Sequence, residues 1–469
     1  MTKTDSFIPL EPSLGDARLL SMLRLWFGVS EPVSRPAYAV SGFGWMLLKY
    51  GVEGLVIWCY TAAFFSPLDF LNPLLSIRTE TLRTAPEWVA WAQFAWTIPF
   101  LWIAISMSVR RVADAGLSPW LGLLVLVPLV NLLFMLAMCA VRSKPGEHWS
   151  SGTGTTSDDQ RARSAVFGVG AGLVIGGVMF TLSVFVFQSY GASLFLGTPL
   201  LMGAAGAYVF NHPHPRSYWA SASVGQAAVF FAGVALLLFA LEGLICVMMA
   251  VPLVVPFGAL GGVLGKAIAE STRRPRRELV AAIAILPLLS GAESLLIHSA
   301  EYEVMTMVEV NAPADAVWEH VVRFPDLPEQ TAWYYRMGIA CPQRARIVGK
   351  GVGATRYCEF TTGTFVEPIT VWEPGKRLAF DVTDQPAPMF ELSPYRHIHP
   401  PHLDGYLRST RGEFLLIGLP DGRTRVEGRT WYQFDMFPQW YWTLWSDLLI
   451  HRIHQRVLAH VKHRAEQSP

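Results

Sequence analysis

The sequence predicts two fold classes in one chain. The first is an all-α, multi-span membrane domain of about eight helices. The second is an α+β domain in which antiparallel strands are closed by one long C-terminal helix. Three observations carry this. Residues 1–300 hold 35 Lys, Arg, Asp and Glu residues, whereas the remaining 169 hold 38. Apolar runs recur in the first part at the roughly 20 residues that a 30 Å hydrocarbon core requires. From Glu303 onward they give way to strand-like alternation, turn signals and a final helical stripe.

The whole chain of 469 residues is 52% hydrophobic and 16% charged, against about a quarter charged in soluble proteins. A net charge of +1 leaves no polyanion footprint, so no nucleic-acid partner is expected. Five cysteines (Cys59, Cys139, Cys246, Cys341 and Cys358) are too few and too scattered for a disulfide scaffold or a zinc ribbon.

Residues 1–42 form a polar N-terminal segment without a secretory signal, and Leu19–Val29 reads as an interfacial amphipathic helix. Apolar runs at about 43–65, 88–108 and 120–141 make a three-span block, 43–141. Residues 142–163 are rich in Gly, Ser and Thr and form a polar linker. Five further runs, about 165–188, 192–210, 220–241, 243–265 and 279–298, make a second block over 164–298. The fifth of the eight, interrupted by Gly and Pro, is the weakest; the sixth and seventh are parted at Glu242–Gly243.

Between two spans stands Arg110-Arg111-Val112-Ala113-Asp114-Ala115-Gly116-Leu117-Ser118-Pro119-Trp120, followed by Pro128 and later by Lys144-Pro145-Gly146-Glu147. This pattern resembles the bacterial inner-membrane family called domain of unknown function eight hundred and five, over roughly residues 25–150. Val112-Ala113 stands where that family has Leu-His. The resemblance implies an integral membrane protein and brings no activity with it. Arg110, Arg111 and Asp114 lie three to four residues apart, so on a helix Asp114 can meet either arginine. A structural clamp is the first reading and a ligand or headgroup site the second.

Other ionisable residues in spans are Lys49 with Glu53, which can neutralise one another, Glu242, which at a hairpin would face water, and Glu293. Glycine clusters at 168–177 and 261–265 miss the phosphate-loop pattern and read as close helix packing.

In the soluble part, Glu303–Val310 reads as a strand and Asn311 as the cap of a helix with Pro313 in its first turn. Pro325–Glu329 is expected to add a short helical turn. Hairpins are expected over 345–361, 364–382 and 406–435, the last turning at Leu419-Pro420-Asp421-Gly422. The closing helix, about 438–465, presents Leu444, Leu448, Ile450, Ile453, Val457 and Val461 as its apolar stripe. This order is a helix-grip plan. With Val308-Glu309-Val310-Asn311-Ala312-Pro313-Ala314-Asp315-Ala316-Val317-Trp318 and Gly351-Val352-Gly353-Ala354, residues 303–466 resemble the START / polyketide cyclase / birch-allergen superfamily. The resemblance implies a curved sheet around the last helix and a cavity for an apolar ligand such as a lipid, sterol or polyketide, with catalysis in only some members.

Aromatic residues are the ligand-binding candidates: Trp333, Tyr334 and Tyr335, and near the last helix Trp431, Tyr432 and Trp445. The catalytic candidates are His397, His399, His402 and Asp404, in a loop stiffened by Pro400 and Pro401, where Asp404 or Glu391 can orient an imidazole. A rigid lid or membrane-contacting loop is the competing reading, no bound metal and no cofactor are expected, and His451 with His454 reads as a solvated pair. The expected function is binding or handling of a hydrophobic small molecule or lipid at the bilayer. A membrane-tethered cyclase or hydrolase is the alternative, and a transporter ranks last. Counting Lys and Arg by side gives twelve against six, and the positive-inside rule exports residues 303–466 to the periplasmic side of a bacterial inner membrane.

Overall fold

A computed structural model describes residues 14–29, 31–72, 81–127, 130–143, 157–271, 275–296, 300–323, 326–328, 332–395 and 398–467. They fall into two compact units. One comprises Met1–Val178, Pro199–Phe239 and Val255–Ala282; the other comprises Met179–Thr198, Ala240–Val254 and Ile283–Pro469.

Helices α1 (Leu14–Phe27), α2 (Arg35–Thr61), α3 (Pro67–Leu71), α4 (Glu87–Asp114) and α5 (Val130–Ala140) come first. They are followed by α6 (Ser157–Thr181), α7 (Thr198–Asn211), α8 (Tyr218–Leu238), α9 (Leu244–Glu270) and α10 (Pro275–Leu296). Five stretches are long and apolar enough to cross a membrane: Trp88–Asp114, Gln160–Val186, Ser193–Asn211, Tyr218–Leu238 and Leu244–Glu270. The expected count of eight is therefore not reached among the described residues. The run at 120–141 is cut into a 3-10 helix, Pro119–Leu126, and the short α5. The run at 43–65 sits on α2, where Lys49 and Glu53 pair across one turn. Of α10, only Ala281–Leu295 is apolar, which is short of a span.

In the first unit, Ile105, Val109, Val166, Phe210 and Val224 share a buried core. Glycines set the helix spacing: a Cβ at Gly168 would strike the Gly206 carbonyl, and one at Gly203 or Gly225 would strike that of Gly258. Small residues let backbones approach this closely, which is the packing role expected of them.

In the second unit the soluble part forms a seven-stranded antiparallel sheet in the order β1-β7-β6-β5-β4-β3-β2. The strands are β1 (Glu301–Val310), β2 (Pro342–Val348), β3 (Thr355–Phe360), β4 (Gly363–Glu373), β5 (Arg377–Asp381), β6 (Leu407–Gly418) and β7 (Thr424–Phe434). Helices α11 (Ala314–Val322) and α12 (Trp333–Arg336) carry the chain from β1 to the opposite edge, and α13 (Gln439–Gln467) closes the domain. This is the helix-grip plan. Its core joins Val317, Val321, Ile369, Leu378, Phe414 and Val426 to Val457, Leu458 and Val461 of α13.

Local differences from expectation have simple causes. Pro313 rather than Asn311 precedes the first helical residue, because its extended backbone leads directly into the turn. On α13 the buried face runs through Tyr441, Trp442, Ser446, Ile450 and Val457, so Leu444 and Leu448 are exposed. Of the expected turn at 325–329, residues 326–328 are not helical and the others lie outside the described residues.

Candidate functional site

The segment from Glu391 to Gly405 links β5 to β6. Pro400 leads into a one-turn 3-10 helix, Pro401–Leu403, whose φ the prolines preset. The turn carries His402 into the interior, 6% exposed. His399 remains on the extended lead-in, where Nε2 lies 2.7 Å from Asp404 Oδ1 with both side chains exposed. His399 and His402 have separate partners, and His397 lies outside the described residues.

His402 enters a buried polar group. Its Nδ1 lies 2.9 Å from Glu242 Oε2, although the approach is off the N–H line and neither atom makes an aligned hydrogen bond. Its Nε2 lies 2.9 Å from Cys246 Sγ and 3.5 Å from Glu391 Oε1. The Tyr190 hydroxyl donates to Glu242 Oε1 at 2.6 Å. Burial alone would lower the His402 pKa, but the adjoining Glu242 carboxylate outweighs it and the imidazole is held well above its ordinary value. Glu242, expected to face water at its hairpin, is 6% exposed. The reason is that the sheet domain covers the hairpin.

Backbone contacts fix this arrangement. Leu244 N–H, at the start of α9, donates to Leu392 O at 2.8 Å. Ile245 N–H donates to Glu391 Oε2 at 3.2 Å, using a donor that a helix N-terminus leaves free. Any side chain at Gly243 would overlap Glu391, so the hairpin needs glycine there for a close approach. Beneath it Ile245, Met389 and Leu403 pack together. The Tyr441 hydroxyl donates to Met249 O, Phe437 N–H to Tyr190 O at 2.9 Å, and the Tyr406 hydroxyl to Gln188 O at 2.8 Å.

Beside this group lies a cleft of about 910 Å³. Val184, Phe185 and Phe187, where an apolar helix ends, form one part of its lining, and Asp404, Arg408 and Asp435 from the sheet domain form another. Glu293 also lines it; its carboxylate accepts the Ser193 N–H at 3.0 Å. The cleft offers apolar surface and charged groups of both signs, which suits an amphipathic molecule.

None of the six aromatic candidates lines this cleft. Trp333 is exposed and Tyr334 meets Tyr335 in a tilted ring contact at a 4.5 Å centroid distance. Tyr335 is buried, with its hydroxyl donating to Arg452 O. Tyr432 is fully buried and donates to Asp447 Oδ1 at 2.5 Å. The Arg411 guanidinium covers Trp431 at 4.3 Å, and Trp445 is half-buried. Tyr335 and Tyr432 are core residues whose polar tips are satisfied.

In the first unit, Arg110 and Arg111 are fully buried. Arg110 donates to the carbonyls of Ser106, Leu25 and Glu31. Arg111 pairs with Asp114 and donates to the carbonyls of Met138 and Val141. Asp114 takes a further bond of 2.5 Å from Ser143. The geometry is that of a clamp tying the segments at 25–31 and 138–143 to α4.

Tyr190, Glu242 and Cys246 were not legible as site residues, because the fold joins them to Glu391 and His402 from some 150 to 210 positions away in sequence. The available signals were an ionisable residue between two apolar runs and a second carboxylate at the start of the histidine segment.

Residues 27–149 match the family described as "Protein of unknown function (DUF805)". The N-terminal resemblance is upheld. No curated protein matches the chain. Over the C-terminal part the chain is similar to solved structures. One is the Zhui aromatase/cyclase from Streptomyces sp. R1128, at 15% identity, covering 36% of this chain and 95% of that one, with a TM-score of 0.25. Another is truncated norcoclaurine synthase from Thalictrum flavum, at 11% identity, 37% and 98% coverage and a TM-score of 0.26. A third is a protein from Nitrosospira multiformis, at 17% identity, 35% and 97% coverage and a TM-score of 0.23. Such likeness carries no argument about ligand or chemistry.

Proposed function

We propose that this is a bacterial inner-membrane protein whose helix-grip domain binds an amphipathic, lipid-like molecule drawn from the bilayer, with the domain on the periplasmic side. The observation that carries the reading is the composite lining of the cleft. Val184, Phe185 and Phe187, at the end of an apolar helix, offer surface that an acyl chain can meet, and Arg408 with Asp404 and Asp435 offers charges that a headgroup can meet. Polar groups converging beside an apolar wall can orient such a ligand. A tethered domain would meet its ligand by lateral exchange with the membrane.

Native mass spectrometry of the full chain released from detergent tests this reading. Lipid adducts are expected on the wild type and at least tenfold fewer on Ser294→Trp, which places an indole in the cleft. A wild type free of adducts, or a variant carrying as many, would refute it.

A second, enzymatic reading is favoured by one feature. His399 and Asp404 form an exposed pair, and Asp404 lines the cleft. An imidazole oriented by a carboxylate can act as a general base. That reading requires His399→Ala to abolish turnover of a bound lipid ester while adducts persist.

A further inference from the structure

We infer that Cys246, Glu391 and His402 form a binding site for a zinc-like divalent metal, with Glu242 as the carboxylate that orients the histidine. Their ligand atoms, one sulfur, one nitrogen and one oxygen, all lie within 4.8 Å of one another. Zinc takes thiolate at about 2.3 Å and imidazole or carboxylate at about 2.0–2.2 Å, so tetrahedral edges between ligand atoms run to roughly 3.3–3.6 Å. His402 Nε2 to Glu391 Oε1, at 3.5 Å, is such an edge. Cys246 Sγ to Nε2, at 2.9 Å, opens to that length with a small turn of the thiol.

The surroundings fit the same occupant. A metal-bound histidine donates its other nitrogen to a carboxylate, which fixes ring orientation and tautomer. Here Glu242 Oε2 stands 2.9 Å from Nδ1, off the N–H line, so a small rotation of the ring aligns the bond, and Tyr190 holds Glu242 through its other oxygen. The Glu391 side chain is fully buried, yet its Oε1 has no hydrogen bond, a costly condition for a carboxylate oxygen. Its other oxygen is held by Ile245 N–H, which leaves Oε1 directed toward His402 and Cys246. Metal binding would release the Cys246 thiol proton to solvent. A thiolate and an imidazole select a borderline metal over magnesium or calcium. Three protein ligands leave a fourth position for water or a ligand atom.

The test uses the full chain in detergent. Elemental analysis is expected to find about one zinc per chain. After chelator stripping, titration with Co²⁺ alone should give the visible bands of four-coordinate cobalt and a sulfur-to-cobalt charge-transfer band, saturating at one equivalent. Cys246→Ser should lose the charge-transfer band, Cys59→Ser should keep it, and His402→Ala should weaken Co²⁺ binding at least tenfold. In the wild type, Co²⁺ should shield Cys246 from a thiol reagent, a readout independent of whether the variants fold. A wild type that takes up no stoichiometric Co²⁺, an unshielded Cys246, or a charge-transfer band surviving in Cys246→Ser would overturn the assignment.

Discussion

At the scale of single residues, His454 shows how packing rather than sequence decides a group's chemistry. It reads as solvated from its neighbours on the helix, but it packs between β1 and β7. Nδ1 lies 3.1 Å from Thr306 Oγ1 and Nε2 lies 2.8 Å from Thr430 Oγ1. Burial, with His451 beside it, lowers its pKa from 6.5 to about 4. The folded state therefore prefers neutral imidazole, while the unfolded chain takes up a proton near pH 6.5. The stability this group contributes is present above that pH and is lost as pH falls toward 4, up to about 3 kcal/mol in all. Thermal unfolding of the detergent-solubilised protein should show this loss, and His454→Gln should flatten the profile. An unchanged profile in the variant would refute the assignment. A second residue-scale prediction concerns Gly243, whose missing side chain admits Glu391. Gly243→Ala forces the hairpin from the sheet domain, at a cost of about 1–3 kcal/mol by overpacking, read as a lower Tm. A Tm equal to wild type would contradict the close approach.

At the scale of elements, cross-strand pairing places Arg356 of β3 opposite Glu367 of β4. Both side chains are buried and ion-paired, and the guanidinium lies 4.9 Å from the Phe380 ring. Removing one partner leaves a charge in the core, so Glu367→Ala should cost about 3–5 kcal/mol; replacing both with Met and Leu should cost far less. Equal losses in the two variants would show that the ion pair is not what matters. The strands were legible because period-two alternation and Gly-containing turns are local signals: β7, expected over 424–435, spans Thr424–Phe434. Helix faces were less legible. Leu444 and Leu448 fit the stripe by hydropathy, but Trp442 and Ser446 take the buried face, Trp442 packing against Phe195 at 4.8 Å and Ser446 bonding Tyr432. Neither contact lies within reach of a periodicity argument. The site was legible only in part. Asp404 and Glu391 both approach histidines as the loop chemistry suggested, but the hairpin residues Glu242 and Cys246 enter through long-range topology.

At the scale of the whole molecule, alternate crossing fixes a relation between loops. Residues 187–192 and 239–243 each join two spanning helices and contain no Lys or Arg. Both contribute contacts to the sheet domain, through Gln188, Tyr190 and Glu242. The opposite ends of the same helices carry Arg161, Arg163, Arg216 and Lys266, with Arg273, Arg274, Arg276 and Arg277 beyond. In the proposed topology the positive-inside rule assigns that basic set to the cytoplasm and so the domain to the periplasm. A C-terminal alkaline phosphatase fusion should be active and a green fluorescent protein fusion dark; the reverse pair would relocate the domain. The central claim is that the cleft holds a membrane-derived amphiphile. Photolabelling the full chain in nanodiscs with a diazirine-bearing phospholipid, then mapping labelled peptides, tests it most directly. The account predicts labels at 184–189 and 401–408 that Ser294→Trp removes. Labelling confined to the lipid-facing sides of the spans, unchanged in that variant, would contradict it.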